Sequence, residues 1–390
     1  MFDFLHAIFI KATSAVVALF LFLGISGTQP LNLPEVTGQT SQTTTTKIIE
    51  ARSESAEKTA PTEREVLLIP KDKKIVITSS GDLTIQMPPP PEIKAPTLLS
   101  TSFLNEKARS ATVNIFCLTK TGGILDPISG SGVIINEAGV IITSAHVAQY
   151  YLLEDYLTKN FIECTVRTGS PATPTYTLEP LYLPPIWIES NAEKIKSDAP
   201  MGTGEYDFAL FRIVGPISEG NTLPTAFPFI EPANPDEQLV EGSSVFLAGY
   251  SAGFIDNLSV SKNLWLSTSI ASLKNFFVFH DGGKTPDLLA LSGTTAAQEG
   301  ASGGAVIDFV DGKLWGLIAA RTAGNTTEER ELRAITISHV SDTLEDYTGK
   351  TLAEFISGDL TKEGLYFNTF VAPKLTKILT DTLDDAKSGH

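Results

Sequence analysis

Cysteine is nearly absent: Cys117 and Cys164 are the only two in 390 residues. Two are too few for a disulfide-scaffolded domain or a zinc knuckle. They leave open one bridge or two buried thiols, and spacing does not decide between these. Positive charge is also scarce. Lys and Arg number 29 against 45 Asp and Glu, a formal net charge of −16, and no basic patch is visible. Nucleic acid and anionic lipid headgroups reward clustered lysine and arginine, so neither is expected as a main partner. Long amphipathic helices alternating with strands are missing too, which disfavours a doubly wound α/β fold. What remains is ample for folding: with 42% hydrophobic residues the chain can bury one or two substantial cores.

One long apolar run is present, at the start. "ATSAVVALFLFLGISG" (12–27) is uncharged, and the tract reaches back to Phe4 if Lys11 snorkels. Residues 1–27 are therefore expected to target a membrane. They read either as an uncleaved transmembrane anchor, the reading that the extended tract favours, or as a signal segment cut near Ser26 or Gly27. Lys11 precedes the main run, so the positive-inside rule puts the N-terminus in the cytoplasm and the body in the periplasm or outside the cell. Cleavage would make the body a secreted protein.

Residues 28–65 are polar and aperiodic, a linker. Over 66–96 an alternating stretch with "SSGD" as its turn predicts a small hairpin, followed by the Pro-rich spacer "PPPPEIKAP". From Thr97 the texture becomes short β-rich runs between glycines and prolines. "GSGVIIN", "GVIITSA" and "YDFALFRIV" fall within 97–215; "SSVFLAGY", "GGAVIDF" and "KLWGLIAART" fall within 216–340. Many short strands with polar turns indicate an all-β sandwich or barrel pair. "QYYLLEDYL" and residues 341–390 are the main helical candidates. "GLYFNTFVAPKLTKILTDTLDDAK" can finish as an amphipathic helix, which makes a homo-oligomer a candidate assembly.

Three residues at strand edges carry chemistry when taken together. His146 in "VIITSAHVAQY" follows a strand and can take a proton near neutral pH. Asp207 in "GEYDFALFRIV" opens an apolar strand, and Ser302 in "EGASGGAVIDF" sits in a glycine-rich turn before another. Each has an ordinary structural role when read alone: an incidental histidine, a strand cap, a tight turn. The order His, Asp, Ser with all three in such settings is much harder to explain that way.

With these motifs the chain resembles trypsin-like serine peptidases of the chymotrypsin fold, and within them the exported bacterial HtrA/Deg group. "TSAHV" around His146 is similar to the family's histidine motif, "DFAL" from Asp207 to its aspartate motif, and "GASGG" around Ser302 to its nucleophile motif. "GSGVIIN" resembles the family's first-barrel hairpin and "AGY" its early second-barrel strand, and the likeness covers about 105–345. It implies two packed six-stranded antiparallel β-barrels with a C-terminal helical extension, and protein or peptide substrates. Ser302 would be the nucleophile, His146 the base and Asp207 its orienting partner, with the N–H groups of Gly300 and Ser302 as oxyanion donors. No metal, nucleotide or flavin cofactor is required.

Departures narrow the resemblance. Digestive trypsin has an aspartate just before its nucleophile to pair with a freshly cut N-terminus; this chain has Ala301, so that activation switch cannot operate. Ala296 and Ala297, with Ala319 and Ala320 opposite, would wall the primary specificity pocket and favour small or uncharged side chains. The insertion "SPATPTYTLEPLYLPPIWIES" reads as an extended loop, with Trp187 in a packing role. No PDZ-like module is evident in the last 50 residues. Two other readings compete: a latent peptidase fold serving as a scaffold, and a serine esterase. The usual esterase elbow, Gly-x-Ser-x-Gly on an α/β sheet, does not match the setting of Ser302.

Overall fold

The computed structural model describes residues 74–77, 83–86, 97–119, 127–197, 202–235, 239–252, 257–280, 285–294, 298–321 and 331–388. The chain divides into two units, Met1–Pro90 and Pro91–His390. In the first, β1 (Lys74–Ile77) and β2 (Leu83–Gln86) pair antiparallel as a short hairpin, Ile77 opposite Leu83.

The second unit contains two closed six-stranded antiparallel barrels, as the resemblance implied. One is built from β3 (Thr112–Thr119), β4 (Ile128–Ile134), β5 (Val140–Thr143), β6 (Ile162–Thr168), β7 (Thr173–Tyr182) and β8 (Ala209–Pro216). The other is built from β9 (Ser244–Gly249), β10 (Ser267–Phe277), β11 (Leu288–Leu291), β12 (Ala305–Asp308), β13 (Leu314–Arg321) and β14 (Leu332–Thr336). The strand orders, β3-β4-β5-β8-β7-β6 and β9-β10-β11-β14-β13-β12, repeat one winding.

Several strands bury both faces, which is why they read as continuous apolar runs rather than clean alternation. In β9, Val245 and Leu247 enter the core of the second barrel, while Phe246 and Ala248 join a cluster shared by strands of both barrels. In β5, Val140 and Ile142 enter that shared cluster and Ile141 faces the interior of the first barrel. Neighbouring side chains point to opposite faces, so one strand serves two cores.

Helices fill the outside. α1 (Thr101–Ala111) starts at Ser100, whose side chain accepts from Phe103 N, and buries Leu104, Ala108 and Ala111 along one stripe. α2 (Ala145–Ala148) is a single turn after β5, continued by a 3-10 turn over Gln149–Leu153. α3 (Pro185–Asn191) begins with proline in its first turn and carries Trp187, fully buried. The insertion is thus β7 plus a helix rather than the extended loop read from its prolines; the run "PPIWIES" starts a helix because Pro185 occupies a position that needs no N–H. α4 (Asn257–Lys262) lies between β9 and β10. α5 (Ile337–Thr348), α6 (Leu352–Ser357), α7 (Leu360–Tyr366) and α8 (Ala372–Ser388) form the C-terminal extension. Phe367, Leu375, Leu379 and Leu383 pack with Leu153, Phe161, Trp187 and Ile188 of the first barrel's side. Tyr156 Oη donates to Asp384 and Thr376 Oγ1 to the carbonyl of Leu152, which helps hold them there.

The expected transmembrane helix is corrected here: among the described residues no helix is long and apolar enough to cross a membrane. The longest of these, α8, has 17 residues and carries Lys374, Lys377, Asp381, Asp384 and Asp385. That is too short and too charged for a span, which needs about 20 mostly apolar residues. Residues 1–27 themselves lie outside the described residues. Cys117 and Cys164, opposite one another on β3 and β6, form a disulfide.

Candidate active site

The register of the first barrel brings His146 and Asp207 together. Thr143, the last residue of β5, pairs with Ala209, the first of β8, so the chain leaves one strand and enters the other at the same barrel end. His146 lies three residues past Thr143 and Asp207 two residues before Ala209. A turn with Gly204 at φ 99° and Tyr206 at φ 58° bends the chain into β8, and Asp207 N donates to Gly204 O. Asp207 is 1% exposed. Its carboxylate accepts twice from one residue: Oδ2 lies 2.7 Å from His146 Nδ1, and Oδ1 accepts from His146 N at 2.9 Å. The second bond ties the carboxylate to the backbone that carries the imidazole, so ring and carboxylate are oriented as one body.

Ser302 comes from the second barrel, on the turn entering β12, which lies between β9 and β13. Each peptide of this turn is anchored. Ala252 N donates to Glu299 O at 2.5 Å, Ser131 Oγ to Gly300 O at 2.7 Å, Gly304 N to Ala301 O at 2.8 Å and Ser131 N to Ser302 O at 2.8 Å. A trans peptide points its C=O and N–H in opposite directions, so the bond from Ala252 to Glu299 O turns the Gly300 N–H away from Ala252. Gly300 has φ 85°, and a Cβ there would stand 2.6 Å from Tyr250 O. At Gly303, φ 82°, a Cβ would stand 2.1 Å from Ser131 O and 3.0 Å from Ser144 N. The turn is therefore docked against Ser131 and against Ser144, two residues before His146, with no space for side chains at its glycines.

The bonds of His146 among the described residues run to Asp207 and Gln149, and none joins its ring to Ser302. Catalytic hydrogen bonds in free enzymes are often long and tighten when substrate binds. Of the expected pocket residues, Ala296 and Ala297 lie outside the described residues. Ala319 and Ala320 follow Ile318, whose carbonyl accepts from Gly303 N at 2.7 Å. Ala319 is 1% exposed and packs in the shared cluster, while Ile318 faces the core of the second barrel.

A second set of contacts holds the segment after β9. Arg167 on β6 is buried and stacks 4.1 Å over the Phe116 ring; Nε donates to Asn114 Oδ1 and Nη1 to the carbonyls of Val260 and Ser261 at the end of α4. Burial lowers its pKa to about 10, with partial compensation from Tyr250. The β6–β7 turn adds bonds from Ala172 N to Leu264 O and from Leu266 N to Ser170 Oγ, and Tyr250 Oη donates to Gly169 O. The sequence reading assigned no role to Ser131 or Arg167. "GSG" registered only as part of a strand, and a lone arginine in "FIECTVRT" gives no signal of burial.

Residues 130–317 match the family model described as a trypsin-like peptidase domain. The matched stretch runs through strands of both closed barrels, whose architecture is that of the chymotrypsin-like fold. No protein of curated function matches the sequence. Among solved structures it is similar to the crystal structure of Deg5, at 18% identity over 61% of this chain and 89% of that one, with a TM-score of 0.39. It is also similar to the active form of the Rv3671c protease from M. tuberculosis, at 17% identity over 67% of this chain and 94% of that one, with a TM-score of 0.38.

Proposed function

We propose that the protein is a serine endopeptidase that hydrolyses peptide bonds through an acyl-enzyme. The observation that carries this reading is the doubly bonded His146–Asp207 pair at the barrel end where the Ser302 turn docks. Ser302 Oγ attacks the scissile carbonyl while His146 Nε2 takes its proton, and Asp207 keeps Nδ1 protonated and steadies the imidazolium. Charge on the carbonyl oxygen is met by the N–H groups of Gly300 and Ser302, each such donor being worth about 3 kcal/mol of transition-state stabilisation. His146 then gives the proton to the departing amine. A water enters, loses a proton to His146 and splits the ester, restoring Ser302.

The sequence has no carboxylate at Ala296, Ala297 or Ala320, the positions assigned to the primary specificity pocket, so small or uncharged side chains are accepted before the cut and Lys or Arg is not. The Cys117–Cys164 bridge supports work in an oxidising compartment, outside the cytosol.

The test is labelling of the full chain with a fluorophosphonate probe, beside Ser302→Ala and His146→Ala. Label on the wild type alone is expected. Equal labelling of wild type and Ser302→Ala would remove Ser302 as the nucleophile, and an unlabelled but folded wild type would remove the peptidase reading.

A further inference from the structure

The oxyanion donors need a fixed backbone, and the aspartate that performs this task in trypsin is replaced here by Ala301. We infer that Ser131, a fully buried residue of the first barrel, is the positioning residue that takes over, an inference that rests on the peptidase reading above. Four of its hydrogen-bonding connections are at the site. Its Oγ donates to Gly300 O at 2.7 Å and accepts from Tyr250 N at 2.8 Å; its N–H donates to Ser302 O at 2.8 Å; its carbonyl accepts from Thr143 Oγ1 at 2.6 Å.

Geometry gives these bonds their effect. The two donating N–H groups belong to the peptides 299–300 and 301–302. Ser131 grips the peptides that follow each of them, 300–301 through its hydroxyl and 302–303 through its backbone N–H. Gly300, at φ 85°, has almost no intrinsic preference for the conformation it holds, so an external bond must choose it. The same hydroxyl holds Tyr250, two residues before Ala252, whose N–H fixes the carbonyl of Glu299. Both sides of the Gly300 N–H are thus referred to a single oxygen on the other barrel. Thr143, which holds the Ser131 carbonyl, ends the strand leading to His146, so base and oxyanion donors share one reference point.

Ser131→Ala removes the hydroxyl and keeps both backbone bonds. Ser341→Ala is its matched control: Ser341 is a buried serine whose hydroxyl accepts from Leu352 N, away from the site. On the full chain, Ser131→Ala is expected to lower kcat by about 30-fold with KM within about twofold. This is less than the roughly 10²–10³-fold loss when a donor itself is removed. Affinity for a peptide aldehyde, which forms the tetrahedral oxyanion, is expected to fall in parallel, while affinity for the matching peptide carboxamide stays the same. Ser341→Ala is expected to leave kcat unchanged. A Ser131→Ala protein with unchanged kcat and aldehyde affinity, whatever its melting temperature, overturns the inference. A wild type that cleaves nothing counts against the peptidase reading instead. The inference then rests on amide hydrogen exchange at Tyr250 and Ala252, which Ser131→Ala is expected to speed at least tenfold. Exchange there no faster than in Ser341→Ala would overturn it.

Discussion

Two buried His–Asp pairs among the described residues make the same bond and differ in what surrounds it. His146 Nδ1 lies 2.7 Å from Asp207, and His339 Nδ1, on α5, lies 3.1 Å from Asp287. The histidines are 6% and 8% exposed, so burial does not tell them apart. The surroundings do. His339 is walled by the rings of Phe279 and Tyr206, with centroids at 5.0 and 5.7 Å, and its Nε2 is buried without a hydrogen-bond partner among the described residues. His146 follows Ser144, against which the glycine turn of Ser302 is docked. On the proposed mechanism only the first pair has a hydroxyl, that of Ser302, to be brought to its far nitrogen. The second pair lies close to the first in the chain: Tyr206, its ring tilted at 38° against His339, directly precedes Asp207.

The largest expected effect separates the pairs directly. Asp207→Asn should leave the fold intact and lower kcat/KM by about 10⁴-fold, as expected when the imidazole loses its correct tautomer. Asp287→Asn should leave kcat/KM within about threefold, and equal losses from the two substitutions would break the comparison.

Next comes the bridge that only the barrel of His146 and Asp207 possesses. Replacing Cys117 and Cys164 by serine opens a loop of 47 residues, which loop-closure entropy values at about 4 kcal/mol. Urea unfolding should show that loss, and an unchanged midpoint would mean that the bridge adds nothing.

Asp287→Asn should cost about 1–2 kcal/mol in the same assay, because Asp287 also accepts from Phe279 N and the substitution disturbs a buried donor pair.

The smallest effect is a pH dependence. Desolvation lowers the pKa of His339 in the folded protein, against the opposing pull of Asp287, Glu205 and Asp342. The unfolded chain then binds the proton more readily, so this contribution is complete above about pH 6.5 and is lost as pH falls below it. Denaturation midpoints between pH 5 and 8 should show the slope in the wild type and a flatter profile in His339→Gln; an identical slope would assign it to other groups.

The sequence revealed the parts of this comparison unevenly. Barrel strands were legible because strands buried on both faces leave short dense apolar runs between glycines. His146 and Ser302 were singled out because their flanking residues are specific when taken together, whereas "DFAL" at Asp207 is weak without them. α1 was not read: its stripe of Leu104, Ala108 and Ala111 after a Ser100 cap is present in the sequence, but it is diluted by charged neighbours in an 11-residue helix. The prolines of "LPPIWIES" pointed to an extended loop, whereas Pro185 opens a helix. Ser131, Arg167 and His339 could not be read at all, because their roles come from partners tens to hundreds of residues away. The disulfide was equally out of reach, since only the register of β3 on β6 sets Cys117 opposite Cys164.

The helix that returns to cover the first barrel also sets an order in time. A ribosome delivers β3 to β8 early, yet Phe367, Leu375, Leu379 and Leu383, which complete the core on that side, emerge after the whole second barrel. Domains tend to fold as they appear, and this one must wait with part of its apolar surface uncovered. Its final closure therefore falls after Ser302 has been made, so a chain interrupted during synthesis leaves the first barrel unfinished.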